Sequence, residues 1–441
     1  MKRKNKSEMK KSLFILFIFS SIFLSARLPD LIPYRKGKLW GYCDSTKKII
    51  VECKYEIAKP FVNSGAIVMT QEKKWGVIDV RGQWLIKDLY SFLEQNKQGY
   101  YFCSNNFPWM YVYTPSGKQI INQKYFSEIH SETPEFKEGL VQLFDSSNCI
   151  GFYDSTGKCV IQTKLTNGRQ FTDGLAVEHL RNGETNVVTL SGKRVSVAKK
   201  YYGLTGFACK RAIVYNKNGR AGYVDTKLKE VIPCRYFAAS YFTHERAWVK
   251  NDEYGNWAMI DMNGKLLTKF KYSYMCSYSG DDIFEVVKCK YEDERIADWE
   301  CTYNFVDRHG KELLDSFCTR CIPFSDGRAF VDDPKHGFKL RMIDTKGKYV
   351  SDKKFEDAKT FSEGKCWVIE NGKGLGVIDL NGNYVIEPKY TFNNFATSPH
   401  PFEEGKFQNG IGGPVFKTIH DSPYFTVLGY IDLYGNEYWE D

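Results

Sequence analysis

Histidine is scarce in this chain: seven in 441 residues, scattered singly. His-Glu-x-x-His does not occur, which excludes the helical zinc-hydrolase motif. Every Gly-Lys pair is followed by something other than Ser or Thr, so there is no Walker A phosphate loop. Gly-x-Ser-x-Gly and Gly-x-Gly-x-x-Gly are missing as well, removing the nucleophile elbow and the dinucleotide fingerprint. Past residue 30 no segment keeps an apolar period of 3.6 long enough for a major helix. A one-signed charge field is also lacking. The chain carries +9, and residues 1–26 supply six basic minus one acidic, or +5. About +4 then spreads over the other 415 residues with Lys and Glu interspersed, which is no nucleic-acid footprint.

What the chain has in abundance is repetition. Trp75-Gly76-Val77-Ile78-Asp79-Val80-Arg81-Gly82 returns as Leu375-Gly376-Val377-Ile378-Asp379-Leu380-Asn381-Gly382, as Ile150 to Gly157 and as Leu428 to Gly435. The Asp position falls at 44, 79, 113, 154, 189, 225, 261, 307, 344, 379 and 432. Most gaps are 34 to 37 residues, and three are longer at 41, 46 and 53. That period predicts about eleven stacked units, each burying its apolar face on its neighbours. A unit opens with Phe, polar residues and Gly, as in Phe171-Thr172-Asp173-Gly174 or Phe361-Ser362-Glu363-Gly364. An alternating run such as Ala66-Ile67-Val68 follows, then the Trp-Gly run, then a pair such as Leu85-Ile86 or Val385-Ile386. Short β-branched and aromatic runs bounded by turn residues predict strands.

The Asp-x-x-Gly step predicts a hairpin turn. Asp accepts a nearby backbone N–H, and Gly takes the left-handed position that closes the loop. A calcium ladder needs several oxygen ligands per loop, and each loop repeats only one carboxylate. Trp40, Trp75, Trp109 and Trp257 share a unit position with Ile150, Thr185, Ala221, Tyr303, Leu340, Leu375 and Leu428. A sugar-stacking platform would keep a ring there, whereas a core position tolerates this variety. Burying a Trp removes ~150–250 Å² from water, an upper bound of ~4–6 kcal/mol. The neighbouring Gly (Gly41, Gly76, Gly151, Gly222, Gly376, Gly429) is expected to make room for a bulky neighbour on the opposite face.

These residues carry a family resemblance. Trp-Gly-Val/Tyr-Ile-Asp, then Gly, a β-branched pair and Pro-Lys-Tyr resemble the WG-repeat (KWG repeat) family of bacterial proteins. The match is closest at Lys74 to Ile86 and at Gly374 to Tyr390, covers nearly all of residues 34–441, and weakens at Thr185 to Val195. The resemblance implies a β-rich repeat protein of interaction or surface type without enzymatic activity, and it supplies no catalytic residues.

At the front, Lys2, Arg3, Lys4, Lys6, Lys10 and Lys11 precede the 12-residue apolar run Leu13–Leu24. A basic region before a short apolar core predicts an export signal over residues 1–26. Leu24 stands where a small residue suits cleavage, so an uncleaved N-terminal membrane anchor is the alternative. Twelve residues are short of the ~20 of a membrane span. Membrane contact is expected only through residues 13–24, if the segment is uncleaved.

Thirteen Cys are scattered over the units, which predicts mostly small buried hydrophobes. Cys318-Thr319-Arg320-Cys321 is the only CxxC, a redox pair or half of a zinc site that lacks two further ligands. His309 sits in a turn. The acidic pairs Asp281-Asp282, Asp332-Asp333 and Glu403-Glu404 read as solvated. Two stretches break the period: an acidic one at about 281–304 and a Pro/Gly-rich one at about 398–426. Insertions in repeat arrays map to loops, often on the binding face, and the acidic one is expected to face solvent as a hairpin or loop and to contact a partner.

The expectation is therefore an all-β tandem array of about eleven antiparallel β-meander repeats over residues 27–441, either an open superhelical stack or propeller-like. Propellers take 4–8 blades, so eleven units would need two rings or an open form. The expected function is a non-enzymatic scaffold of the envelope or exterior that binds a protein or an envelope component. It needs no cofactor, metal or catalytic residue, and its binding residues are unknown. The alternative is a carbohydrate-binding or carbohydrate-active surface protein, with a groove lined by exposed Trp and paired acids. Location is expected in the periplasm, at the cell surface or outside the cell.

Overall fold

The second unit shows why each repeat forms a sheet. In this computed structural model, the chain is described over 28–440 except 107–108, 126–132, 145–148, 164–169, 181–183, 275–277, 292–298, 334–336, 338, 371, 391–405 and 419–424. The short strand Ile57–Ala58 pairs with Ala66–Met69, which pairs with Trp75–Ile78, which pairs with Trp84–Tyr90, every step antiparallel. The order in space is the order in sequence, so each unit is a meander closed by tight turns. Among the described residues three or four such strands recur in all eleven units, arranged as nine open sheets. Sheets merge in two places: the third unit joins the fourth where Tyr125 pairs with Phe144, and the last unit joins the first. Among the described residues no strand lies in a closed barrel.

The Trp-Gly strand buries both faces, because a neighbouring unit lies on each side. Val77 packs with Ile86 and Tyr90 against Leu93, Cys103 and Tyr113 of the third unit. Ile78 and Val68 point the other way, to Tyr42 and Tyr55 of the first unit. The third strand repeats one burial rhythm: Val51 and Tyr55, Ile232 and Tyr236, and Ile386 and Tyr390 are buried, with more exposed residues between them. Ten cores form among the described residues, and each joins consecutive units, as Trp248, Met259 and Tyr272 join Phe284, Val286 and Val306.

The series then returns to its start. Leu31, Ile32, Tyr34 and Trp40 share one core with Ile411, Tyr430 and Tyr438 of the last unit. Ile32–Lys36 pairs in parallel with Glu437–Glu440, placing Arg35 beside Trp439 and Lys36 beside Glu440. An open stack has no contact between its ends, so this closure selects the propeller-like form. It also corrects the expectation that eleven units need two rings or an open form. All eleven lie in one closed series.

The acidic stretch forms a hairpin, one of the two forms expected for it, and the described part of 398–426 is chiefly strand rather than loop. Residues 281–304 build most of the hairpin Ile283–Tyr291 with Trp299–Asp307. Much of 398–426 forms Phe407–Gln408 and Ile411–Thr418, the opening strands of the last unit. The export segment and, within these stretches, residues 292–298, 398–405 and 419–424, Glu403 and Glu404 among them, lie outside the described residues. Among the described residues no helix is long and apolar enough to cross a membrane.

Candidate functional site

The eighth unit departs furthest from the repeat. Its hairpin pairs nine residues on each strand, from Ile283↔Asp307 to Tyr291↔Trp299. Asp281 and Asp282 both hold positive φ at its base, a strained conformation for non-glycine residues. Near the base, Ile283 and Phe305 pack into the core shared with the ninth unit, and Phe284, Val286 and Val306 pack into the core shared with the seventh. Beyond these residues the hairpin continues. There Cys289 and Cys301, directly opposite in register, form a disulfide with Cα atoms 4.1 Å apart. The Cys289 N–H donates to Ser273 Oγ at 2.8 Å, and the Lys288 ammonium lies 4.0 Å over the Phe317 ring. The tip, 292–298, lies outside the described residues.

Next to this hairpin lies the CxxC loop, Cys318 to Cys321, with Asp332 bound to its middle. Cys318 is buried and Cys321 half-buried in the core between units eight and nine. The CxxC loop is held at both middle residues. Thr319 donates its N–H to Asp332 Oδ1 at 2.9 Å and its hydroxyl to Asp332 Oδ2. The Arg320 guanidinium donates to the Glu356 carbonyl at 3.0 Å and to the Asp357 carboxylate. Asp332 is therefore a buried loop anchor rather than a solvated acid, a correction to the sequence reading. Asp281 accepts from the Gly327 N–H of the ninth unit at 2.8 Å, and Asp282 pairs with Arg308 within the eighth unit. No group of three or more His, Cys, Asp or Glu able to hold a metal ion occurs among the described residues.

The recurrent Asp residues occupy the turns as the sequence implied. Asp79 Oδ1 accepts the N–H groups of Arg81 and Gln83, each at 2.9 Å, and Gly82 has φ +75°. The same pair of bonds recurs at Asp44, Asp154, Asp225, Asp261, Asp307, Asp344, Asp379 and Asp432. In the third unit the turn begins at Thr114, one residue after the counted position 113, and Thr114 and Thr189 use their hydroxyls as acceptors instead. His309 is a residue of the Asp307 turn.

Trp40 is buried, while Trp75, Trp109 and Trp257 are half-buried. The described tryptophan side chains include no exposed one. The glycine beside the Trp position makes room for a ring in some units, as expected, and for backbone in others. The ladder is bulged there, between Trp75 and Val77 and between Leu375 and Val377. A Cβ on Gly41 would meet the Val51 carbonyl oxygen at 2.3 Å, and one on Gly222 the Ile232 oxygen at 2.5 Å. At Gly76 and Gly429 the obstacle is a ring, Trp84 or Trp439.

Two inter-unit devices escaped the sequence reading. The acid of the Phe-x-x-Gly loop, in a positive-φ turn, reaches the next unit's matching loop. Glu138 accepts from Gly174 N–H, Asp173 from Lys210 N–H and Asp326 from Gly364 N–H, at 2.7–2.8 Å. Glu363 accepts from both Asn409 and Gly410. The second device explains Pro-Lys-Tyr. Tyr390 donates to Glu437 at 2.6 Å beside Lys389 at 2.7 Å, and Tyr272 and Lys271 hold Glu312 in the same way. Partial burial opposes ionisation of Glu312 and Glu437, but the lysine and tyrosine donors outweigh it and leave both carboxyls below their usual range. The recurring signal was legible: an acid before the loop glycine, and a Glu five residues after the turn Asp.

Comparison with known proteins follows the same lines. The WG containing repeat matches at residues 40–75, 222–254, 342–373 and 376–409. The chain carries this family's repeat at those four stretches. No curated protein matches the chain. Solved structures with some likeness include the computationally designed Ika8 protein, 14% identical over 65% of this chain and 94% of that one, TM-score 0.34. BamB from Moraxella catarrhalis is 10% identical over 71% and 90%, TM-score 0.31. PorZ of Porphyromonas gingivalis, described as a bacterial surface component of the type-IX secretion system, is 9% identical over 81% and 59%, TM-score 0.24. Scores this low carry no argument.

Proposed function

We propose that this chain is a non-enzymatic binding scaffold of the cell envelope or exterior, and that the eighth-unit hairpin presents the contact to a protein partner. The observation that carries the reading is the hairpin itself. Its nine-residue pairing is the longest among the described residues, and a disulfide clamps it two residues short of the tip. Binding residues concentrate on segments that a rigid scaffold holds in place. The tip sequence holds Glu292, Asp293, Glu294 and Asp298 against Arg295, which suits a basic partner and salt-sensitive association. The basic stretch before Leu13–Leu24 supports export, and so does a disulfide, a bond that persists in oxidising compartments.

Replacing Lys290–Asp298 with a short Gly/Ser link leaves both disulfide cysteines and the packed base in place. The variant is expected to melt with the wild type, since loop closure changes little with length. It is expected to lose a basic protein that the wild type recovers from envelope extract at low salt and releases at high salt. Equal recovery of every partner by the two forms moves the binding surface to the repeats.

A further inference from the structure

The turns that close the units carry more than their aspartates. Four residues after the turn Asp or Thr stands Lys118, Lys158, Lys193, Lys229, Lys265 or Lys311 in the third to eighth units. Lys48 and Lys348 hold that place in the first and ninth. All eight are exposed, and each donates its backbone N–H to the side chain that begins its turn. The turns also form a row, because each is seated on the unit before it. A Cβ on Gly117 would meet the Leu85 carbonyl oxygen at 2.7 Å, one on Gly310 the Leu267 oxygen at 2.5 Å, and one on Gly82 the Val51 side chain at 3.1 Å. Lysines interspersed with acids along the sequence thus collect on one rim of the closed series. The acids there are taken. Loop acids accept N–H groups of the next unit, and Glu230, Glu312 and Glu437, just past their turns, are held by Lys200, Lys271 and Lys389. Among the described residues no ion pair includes any of the eight lysines. Apolar side chains stand beside them. Ile50, Val160, Leu190, Leu266, Tyr349 and Tyr434 are 40–62% exposed and lie in these turns or within two residues of them.

We propose that this rim is a docking surface for an anionic lipid membrane, with the lysines at the headgroups and the exposed apolar side chains at the acyl boundary. Each basic residue near an anionic leaflet adds attraction, and apolar side chains beside it gain burial in the interface. A soluble polyanion would use the lysines and leave the apolar side chains in water. The chain itself also enters at this rim. Ile32 pairs with Cys43, directly before the Asp44 turn. Seven residues, 25–31, separate Ile32 from the apolar run that ends at Leu24, a reach of at most ~25 Å. The eighth-unit hairpin leaves in the other direction. The pair Ile283↔Asp307 stands at the rim and Tyr291↔Trp299 at the opposite end, so a chain docked by its lysines directs the strands leading to the acidic 292–298 away from the lipid.

The test floats the purified full-length chain with phosphatidylcholine vesicles that lack or contain about one-third phosphatidylglycerol. Binding to the neutral vesicles measures what the run 13–24 contributes, and the gain on anionic vesicles measures the rim. Wild type is expected to gain ~100-fold or more at low salt and to lose the gain at high salt. Changing four neighbouring units together, Lys158→Gln, Lys193→Gln, Lys229→Gln and Lys265→Gln, is expected to cut the gain ~10-fold or more, while Arg at the same four positions keeps it. Lys38→Gln, Lys73→Gln, Lys74→Gln and Lys217→Gln make the same charge change in turns at the opposite end of their units and are expected to leave the gain intact. Exposed substitutions of this kind are expected to keep the wild-type melting temperature. An equal gain by wild type and the rim Gln variant overturns the proposal. Capture of wild type by inorganic polyphosphate with no gain on anionic vesicles overturns it as well, in favour of a soluble polyanion. The Gly/Ser replacement of Lys290–Asp298 is expected to leave vesicle binding unchanged, so the hairpin reading and this one fail separately.

Discussion

The Arg35 guanidinium donates to the Leu428 carbonyl at 2.5 Å, linking residues 393 positions apart. Arg35 is buried and also donates to the Gly37 carbonyl, while Lys36 pairs with Glu440 at 3.3 Å. A closed series has no exposed terminal face, so no unit needs the polar cap that open arrays require. Arg35→Ala is expected to cost about 1.5–3 kcal/mol, the range for a hydrogen bond from a charged group. Urea titration of wild type and variant measures it. An unchanged midpoint would mean that the closure contributes no stability.

The turn aspartates are structural. Asp79→Ala and Asp379→Ala are each expected to cost ~0.5–2 kcal/mol, by analogy with lost side-chain caps. Ligand or calcium binding should follow stability alone. A mutant that keeps its melting temperature yet loses such binding would refute this role.

The Lys389–Tyr390–Glu437 clamp predicts a pH window. The folded carboxyl of Glu437 titrates below its usual range. Its contribution is therefore fully present above the unfolded carboxylate pKa and disappears as pH falls through the lower folded value. Glu437→Gln should be less stable than wild type at neutral pH, and the gap should close in acid. Melting curves over a pH series check it, and a gap that widened on acidification would reverse the assignment.

Export is tested at the other end of the chain. A reporter active only outside the cytoplasm, fused after residue 40, is expected to be active, and deletion of Leu13–Leu24 is expected to abolish that activity. Cytoplasmic retention of the intact chain would remove the export reading.

What the sequence determined by itself is what short-range chemistry determines. The Asp79 carboxylate reaches N–H groups two and four residues on, so the turn is written within five residues and was read without a structure. The strands follow from alternation and the repeat from its period. Gly76 was only half legible, because the Trp84 ring and the Ile86 carbonyl that exclude a Cβ sit eight and ten residues away across a bulge. Tertiary structure alone decided the rest. Glu138 meets Gly174 across 36 positions. Cys289 finds Cys301 because a hairpin sets them opposite, and Thr319 meets Asp332 across 13 positions because two units share a core. Closure rests on the angle between neighbouring units. That angle is the sum of small packing preferences in every core, and no single residue spells it. Only the accumulated rotation brings Arg35 to Leu428.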